Sequence, residues 1–264
     1  MRTVTTSLFR AAIAAVALAG PVSGAHARSE GPVIAAASDL QFAMAEVAEA
    51  FRAETGLPVR LSMGSTGNLA TQIRQGAPFE IFMAADERFI EELHRDGFTR
   101  DEGDLYAVGR IVVMAPHGSK LAVDEELNGL VAALDAGELE RFAIANPEHA
   151  PYGMRAEEAL AHKGIWDRIQ PNLVLGENVS QAAQFALSGN AQGGIIAYSL
   201  ALAPNISDHG SFALIPEDWH QPLRQRMALL DGATPTAEAL YSYMQRPAAR
   251  AIMDRYGFAL PESE

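Results

Sequence analysis

The sequence predicts an α/β fold of two lobes, built on mainly parallel sheets and joined by strands that cross between them. Three observations carry this. From residue 32 onward short β-like apolar runs alternate with amphipathic helical stretches, the pattern of βαβ units. After Leu105 the alternation starts again as a second set. No low-complexity linker, internal repeat or block of like charge separates the two sets, so hinge geometry is expected rather than beads on a string. A chain of 264 residues with 48% hydrophobic content has ample material for such cores.

Taken in order, VIAAA (33–37) is a short apolar strand, and 39–54 is an amphipathic helix with Phe42, Met44, Val47 and Phe51 as its apolar positions. Gly56 ends that helix. A second strand is expected at 57–63, a second helix at 68–75, a third strand at 80–84 (EIFMA) and a helix from 86 to about 95. The run 106–115 reads as one long strand ending at Pro116. FAIAN (142–146), NLVLGE (172–177) and GGIIAY (193–198) are the next strands, with helices from about Gly153 and about Val179 between them. A last strand is expected at 224–230, then helices from Thr236 and from Pro247 to the C-terminus.

The first 27 residues differ from the rest. Arg2 and Arg10 flank a polar start, AAIAAVALAG (11–20) is an apolar run, and Ala25-His26-Ala27 is the small-x-small pattern that a signal peptidase cuts after. The run is too short to span a bilayer, which needs about 20 residues. An export signal removed after about Ala27 is therefore expected, and with it a soluble periplasmic protein. The chain has no cysteine, which excludes a lipid anchor on that residue, disulfides, thiolate metal sites and cysteine nucleophiles. Without Arg2 and Arg10 the chain has 18 basic against 33 acidic residues, a net charge of about −15. That balance argues against nucleic acid or an anionic membrane as partner. It does not exclude a small anion, because surface charge is screened beyond about 8 Å at physiological salt.

The places that can carry chemistry share one layout: a strand end, a turn with small or hydroxyl residues, then a helix start. They are AAASDL (35–40), MGSTGNL (63–69) and ANPEHAPYGMRAEEAL (145–160), with GENVSQA (176–182) as a fourth, in which Asn178 is the expected N-cap. Helix N-termini present unpaired N–H groups and partial positive charge, so a cluster of them holds an anion without a formal cation. Ser38, Ser65 and Thr66 add hydroxyls, while Gly64 and Gly67 admit close approach of the backbone. Singly, each turn is an ordinary capped helix start. Together, at the C-terminal ends of strands in both lobes, they mark a binding site. GSTG lacks the following GK[ST] of a nucleotide-binding loop, and no G-x-G-x-x-G follows a strand. No G-x-S-x-G, S-x-x-K or H-E-x-x-H is present, so neither a secreted hydrolase nor a metal-cation site has support.

AAASDL, GSTGNLATQIRQGAPFEIFMAADE (64–87) and NPEHAPYGMRAEEAL (146–160) together resemble the exported molybdate-binding proteins of ABC importers, the ModA family, with similarity from about Val33 to near Tyr256. The resemblance implies a type II periplasmic binding protein fold, with lobe 1 formed by 28–108 and 225–264 and lobe 2 by 109–224. It implies no enzyme activity and no cofactor. The implied ligand is a tetrahedral oxyanion, molybdate or tungstate, with another such ion (sulfate or a phosphate-like species) as the alternative, and the implied partners are an inner-membrane permease and its ATPase. It implies a monomer. The ligand residues carried over are Ser38, Ser65, Thr66, Tyr152 and Val179, the last through its main-chain N–H, with Asp39 contributing its backbone. Some members place a tyrosine where this chain has Ala197, with Tyr198 one position later, so the hydroxyl role passes to Tyr152. The Asp39 carboxylate has two readings. It turns to the orphan N–H groups of its helix, or it faces the ligand, where it repels a dianion and accepts a proton from a protonated oxyanion.

Overall fold

A computed structural model describes residues 31–261. The export signal expected over 1–27 lies outside the described residues. β1 (Val33–Ala37) runs through a 3-10 turn, Ser38–Leu40, into α1 (Gln41–Thr55). β2 (Arg60–Gly64), α2 (Thr66–Arg74), β3 (Phe79–Ala84) and α3 (Arg88–Arg95) continue the alternation. β4 (Asp104–Gly109) and β5 (Ile111–Pro116) follow with Arg110 between them. Next come α4 (Asn128–Asp135), β6 (Phe142–Ala145), α5 (Pro151–His162), the single turn α6 (Trp166–Ile169), β7 (Leu173–Gly176), α7 (Val179–Leu187) and β8 (Gly194–Ala197). Short α8 (Tyr198–Ala201) and α9 (Pro204–Ser207) precede β9 (Gly210–Leu214), β10 (Leu223–Leu229), α10 (Pro235–Met244) and α11 (Pro247–Arg255).

The strands form two five-stranded sheets, ordered β2-β1-β3-β10-β4 and β7-β6-β8-β5-β9. β1 pairs in parallel with β2 and β3, and β6 with β7 and β8. The pairings made by β10 in one sheet and β5 in the other are antiparallel, so both sheets are mixed. The reason lies in the crossovers. β1, β3, β6 and β8 end facing the cleft between the sheets, whereas β5 and β10 each enter their sheet from that cleft and must run the opposite way.

The run 106–115, which reads as one strand, is two strands in different sheets. Its apolar continuity is real, but β4 buries Tyr106 and Ala107 in one core while 111–115 belong to another, and periodicity does not report which core a residue enters. A Cβ at Gly109 would lie 2.3 Å from the Tyr152 hydroxyl and 2.8 Å from Gln225 Nε2, so the crossover passes there only because the residue is glycine.

In the first sheet, successive residues serve opposite faces. Ile34, Ala36, Ile81, Met83 and Met227 pack under α1, α10 and α11, while Ala35, Phe82, Ala84 and Ala228 pack under α2 and α3. α1 inserts Met44, Val47 and Phe51 into the first of these layers. Phe42, expected on that same face, packs instead against the core of the second sheet, because two residues turn a helix by about 200°.

Candidate functional site

Between the two sheets lies a hollow of about 180 Å³ of empty space, lined by Ala37, Ser38, Asp39, Gly64, Ser65, Thr66, Ala85, Ala150, Pro151, Tyr152 and Val179. All the expected site residues therefore face one cavity. Ser38 and Asp39 follow β1, Ser65 and Thr66 follow β2, Ala85 follows β3, and Tyr152 and Val179 follow β6 and β7. These are C-terminal strand ends from both sheets.

Three helices begin here, each for a readable local reason. Ser65 takes the extended N-cap conformation ahead of α2. Pro151 opens α5, where its missing N–H costs nothing, and this starts the helix two residues earlier than expected and places Tyr152 in its first turn. Asn178 caps α7 by accepting the Gln181 N–H at 3.0 Å, which leaves Val179 as the first helical residue. The three N-termini supply positive potential to a cavity whose lining holds no Lys, Arg or His.

The Thr66 hydroxyl is oriented within its own sheet, those of Ser65 and Ser38 by contacts that cross the cleft. Thr66 Oγ1 accepts the Ala85 N–H at 3.1 Å. Ser65 Oγ lies 2.9 Å from His149 Nδ1, and the Gly67 N–H donates to the His149 carbonyl at 2.9 Å. Ser38 receives the Ser180 N–H on its hydroxyl at 3.4 Å, and its carbonyl accepts the Ser180 hydroxyl at 2.8 Å. The Ser65–His149 pair does not make a nucleophile and base, since no carboxylate among the described residues hydrogen-bonds His149 to orient its ring.

Asp39 is where the geometry goes beyond the sequence. Its side chain does not turn to the N–H groups of the following helix. Oδ2 accepts from the Tyr152 hydroxyl at 3.0 Å and from Gln225 Nε2 at 2.7 Å, and Gln225 Oε1 in turn accepts the Tyr106 hydroxyl at 2.8 Å. Tyr152, expected to offer its hydroxyl to the ligand, directs that proton to Asp39. Ser199 donates to the Asp39 carbonyl at 2.8 Å. Oδ1 is buried and has no hydrogen-bond partner among the described residues. Burial pushes the Asp39 carboxyl up to about 6, against the opposing pull of the Gln225 and Tyr152 hydrogen bonds and, more weakly, of its own backbone N–H. Burial, followed by the Asp39 charge, holds both Tyr106 and Tyr152 well above the usual phenol range.

Of these participants, the sequence reading missed Gln225, Tyr106, Ser180, Ser199 and the bridging role of His149. Gln225 had a signal: in LRQRMAL it occupies an inward position of a period-two strand between two arginines, and it is fully buried. The hydroxyls had none, because serines near helix starts are common. Tyr198, set aside for the hydroxyl role in the sequence reading, packs beside Phe212 and under Arg110.

The family model for bacterial extracellular solute-binding proteins matches residues 32–259. The molybdate-binding protein ModA of Rhodobacter capsulatus is 36% identical over 92% of this chain and 94% of its own. That of Escherichia coli K12 is 32% identical over 94% of this chain and 96% of its own. Among solved structures, the periplasmic molybdate-binding protein of Azotobacter vinelandii superposes with a TM-score of 0.80 at 29% identity, covering 88% of this chain and all of that one. With two sheets whose strand ends converge on one small cavity, a solute-binding match across nearly every described residue and relatives above 30% identity, this chain belongs to the ModA family of bacterial extracellular solute-binding proteins.

Proposed function

We propose that this protein is a periplasmic receptor that captures molybdate between its two lobes and delivers it to an ABC permease and its ATPase in the inner membrane. Tungstate, of the same charge and shape, enters the same site. The carrying observation is the small cavity in which helix starts and hydroxyls from both sheets meet without any basic side chain. A dianion there is held by neutral dipoles: the Ser38, Ser65 and Thr66 hydroxyls, the Val179 N–H and the backbone at Asp39, with Tyr152 at the cavity wall. Each such hydrogen bond to a charged group is worth roughly 1.5–3 kcal/mol, so a handful yields submicromolar affinity after the cost of closure.

The lobes are taken as 28–108 with 225–264, and 109–224. Support comes from the chain passing between sheets at Arg110 and again between Leu214 and Leu223. The receptor works as a monomer after loss of its signal at about Ala27. No helix among the described residues is long and apolar enough to cross a membrane.

One observation favours a second reading. The buried Asp39 carboxylate is suited to accept a proton from a protonated oxyanion such as hydrogen phosphate. Titration calorimetry with molybdate, tungstate, sulfate and phosphate separates the two. The proposal expects molybdate and tungstate to bind tightest, and binding of phosphate or sulfate without molybdate would overturn it.

A further inference from the structure

The unpartnered oxygen of Asp39 needs an explanation. Asp39 is 1% exposed, lines the cavity, and satisfies only Oδ2. An ionised carboxylate with one bare oxygen beside a bound dianion is a poor arrangement, because like charges in a dry site repel strongly and no cation lines the cavity to offset them. A neutral carboxylic acid removes the repulsion and turns the bare oxygen into a donor. Resting on the oxyanion-receptor reading, we infer that Asp39 holds a proton on Oδ1 whenever the oxyanion is bound and donates it to a ligand oxygen, so that each capture takes up one proton from solvent.

The surroundings fit this role. The groups facing the carboxyl are Tyr152 of α5, Gln225 of β10 and, more weakly, the backbone N–H of Asp39 itself, with Tyr106 of β4 behind Gln225. Tyr152 and Gln225 both donate to Oδ2, which fixes Oδ2 as the acceptor and leaves Oδ1 as the place for the proton. The two phenols stay neutral. From α8, Ser199 contacts only the backbone of Asp39, and α7 contributes Ser180 at the neighbouring Ser38. His149 sits behind Ser65, while Asp86 and Arg155 are paired with each other, so no formal charge of either sign hydrogen-bonds the carboxyl. Burial already raises the Asp39 carboxyl to about 6 in the empty cavity, and a dianion raises it further. The sign follows. Below about pH 6 the proton is already in place and affinity is flat. Above it, each capture must draw a proton from solvent, and affinity falls by about tenfold per pH unit until the carboxyl of the complex itself titrates.

The test is calorimetry of the full-length mature protein with molybdate, which stays a dianion across this range, in pairs of buffers differing in ionisation enthalpy. The expected result at pH 7.5 is uptake of about one proton per molybdate, with affinity weakening about tenfold from pH 7 to pH 8. Asp39→Asn offers an amide N–H in place of the acid O–H, so proton uptake disappears and affinity no longer depends on pH. Molybdate binding by the wild type with no proton uptake and a flat profile would overturn the inference and leave the receptor standing. So would an Asp39→Asn protein that takes up a proton as the wild type does, which would place the proton on another group. Failure of the wild type to bind any oxyanion at pH 6 would sink both. The proton count of the wild type decides the matter even if the variant does not fold.

Discussion

Thr66 shows how a single side chain is committed by its acceptor role. Because its hydroxyl already accepts the Ala85 N–H, its own proton remains to be given to a ligand. Thr66→Ala removes one bond to a charged guest, roughly 1.5–3 kcal/mol, so the dissociation constant for molybdate should rise by tens of fold in calorimetry. A change within twofold would take Thr66 out of the site. Asp39 supports a prediction about the empty protein. Its carboxyl has a folded-state value of about 6 against an ordinary 3.8, so the proton stabilises the fold below pH 4, and that contribution is lost as pH rises through 6. Asp39→Asn should therefore melt higher than the wild type at pH 7.5, with the difference closing toward pH 4. No such convergence in thermal scans would mean that the carboxyl is not strained by its burial. At this scale, the hydroxyl donors were legible because their type and position before helices carry meaning. The Asp39–Tyr152 contact was not, since 113 residues separate the partners.

The N-terminus of α2 behaves as one piece of cleft machinery. A Cβ on Gly67 would lie 2.7 Å from the His149 carbonyl oxygen, which the Gly67 N–H itself approaches at 2.9 Å. Gly67→Ala should leave the unliganded melting temperature unchanged or slightly higher, because alanine favours a helix over glycine by about 1 kcal/mol. It should nonetheless reduce the stabilisation produced by saturating molybdate, since the second lobe can no longer close down on this turn. Equal ligand-induced shifts for variant and wild type would show that this contact is not needed for closure. Elements with strong alternation were readable to within a few residues, as α7 and α11 show. α4 and β9 were not anticipated, because one, NGLVAALD, is a two-turn helix too short to show a helical period and the other, GSFAL, becomes a strand only by pairing with β5.

Across the whole molecule a buried ion pair ties the end of the first sheet to a helix that packs on the second. Asp86, just after β3, and Arg155 of α5 lie 2.8 Å apart with side chains 5% and 4% exposed, and Arg155 also binds Glu158. Losing one partner of a buried pair costs about 3–5 kcal/mol, a cost softened here because Asp86 keeps Arg88. If the two lobes part to release the ligand, water replaces the pair there, and the loss then falls mainly on the liganded state. Arg155→Met should then release bound molybdate on the order of tenfold faster, with a smaller effect on the melting temperature of the empty protein. Unchanged release in a competition stopped-flow measurement would assign the pair to fold stability alone.

The order of residues alone determined the alternation of strands and helices, the turns at which helices begin, the lack of cysteine and nucleotide-loop chemistry, and the resemblance to oxyanion receptors. Each of these is written in neighbours a few positions apart, where backbone preference and side-chain period act. Only the tertiary structure decided that 106–115 divides between two sheets, that Tyr152 serves Asp39, and that one carboxylate oxygen of Asp39 is buried without a partner among the described residues. Those outcomes depend on burial and on partners brought together from distant parts of the chain, and a carboxyl's charge responds to its surroundings in space rather than to its neighbours in sequence.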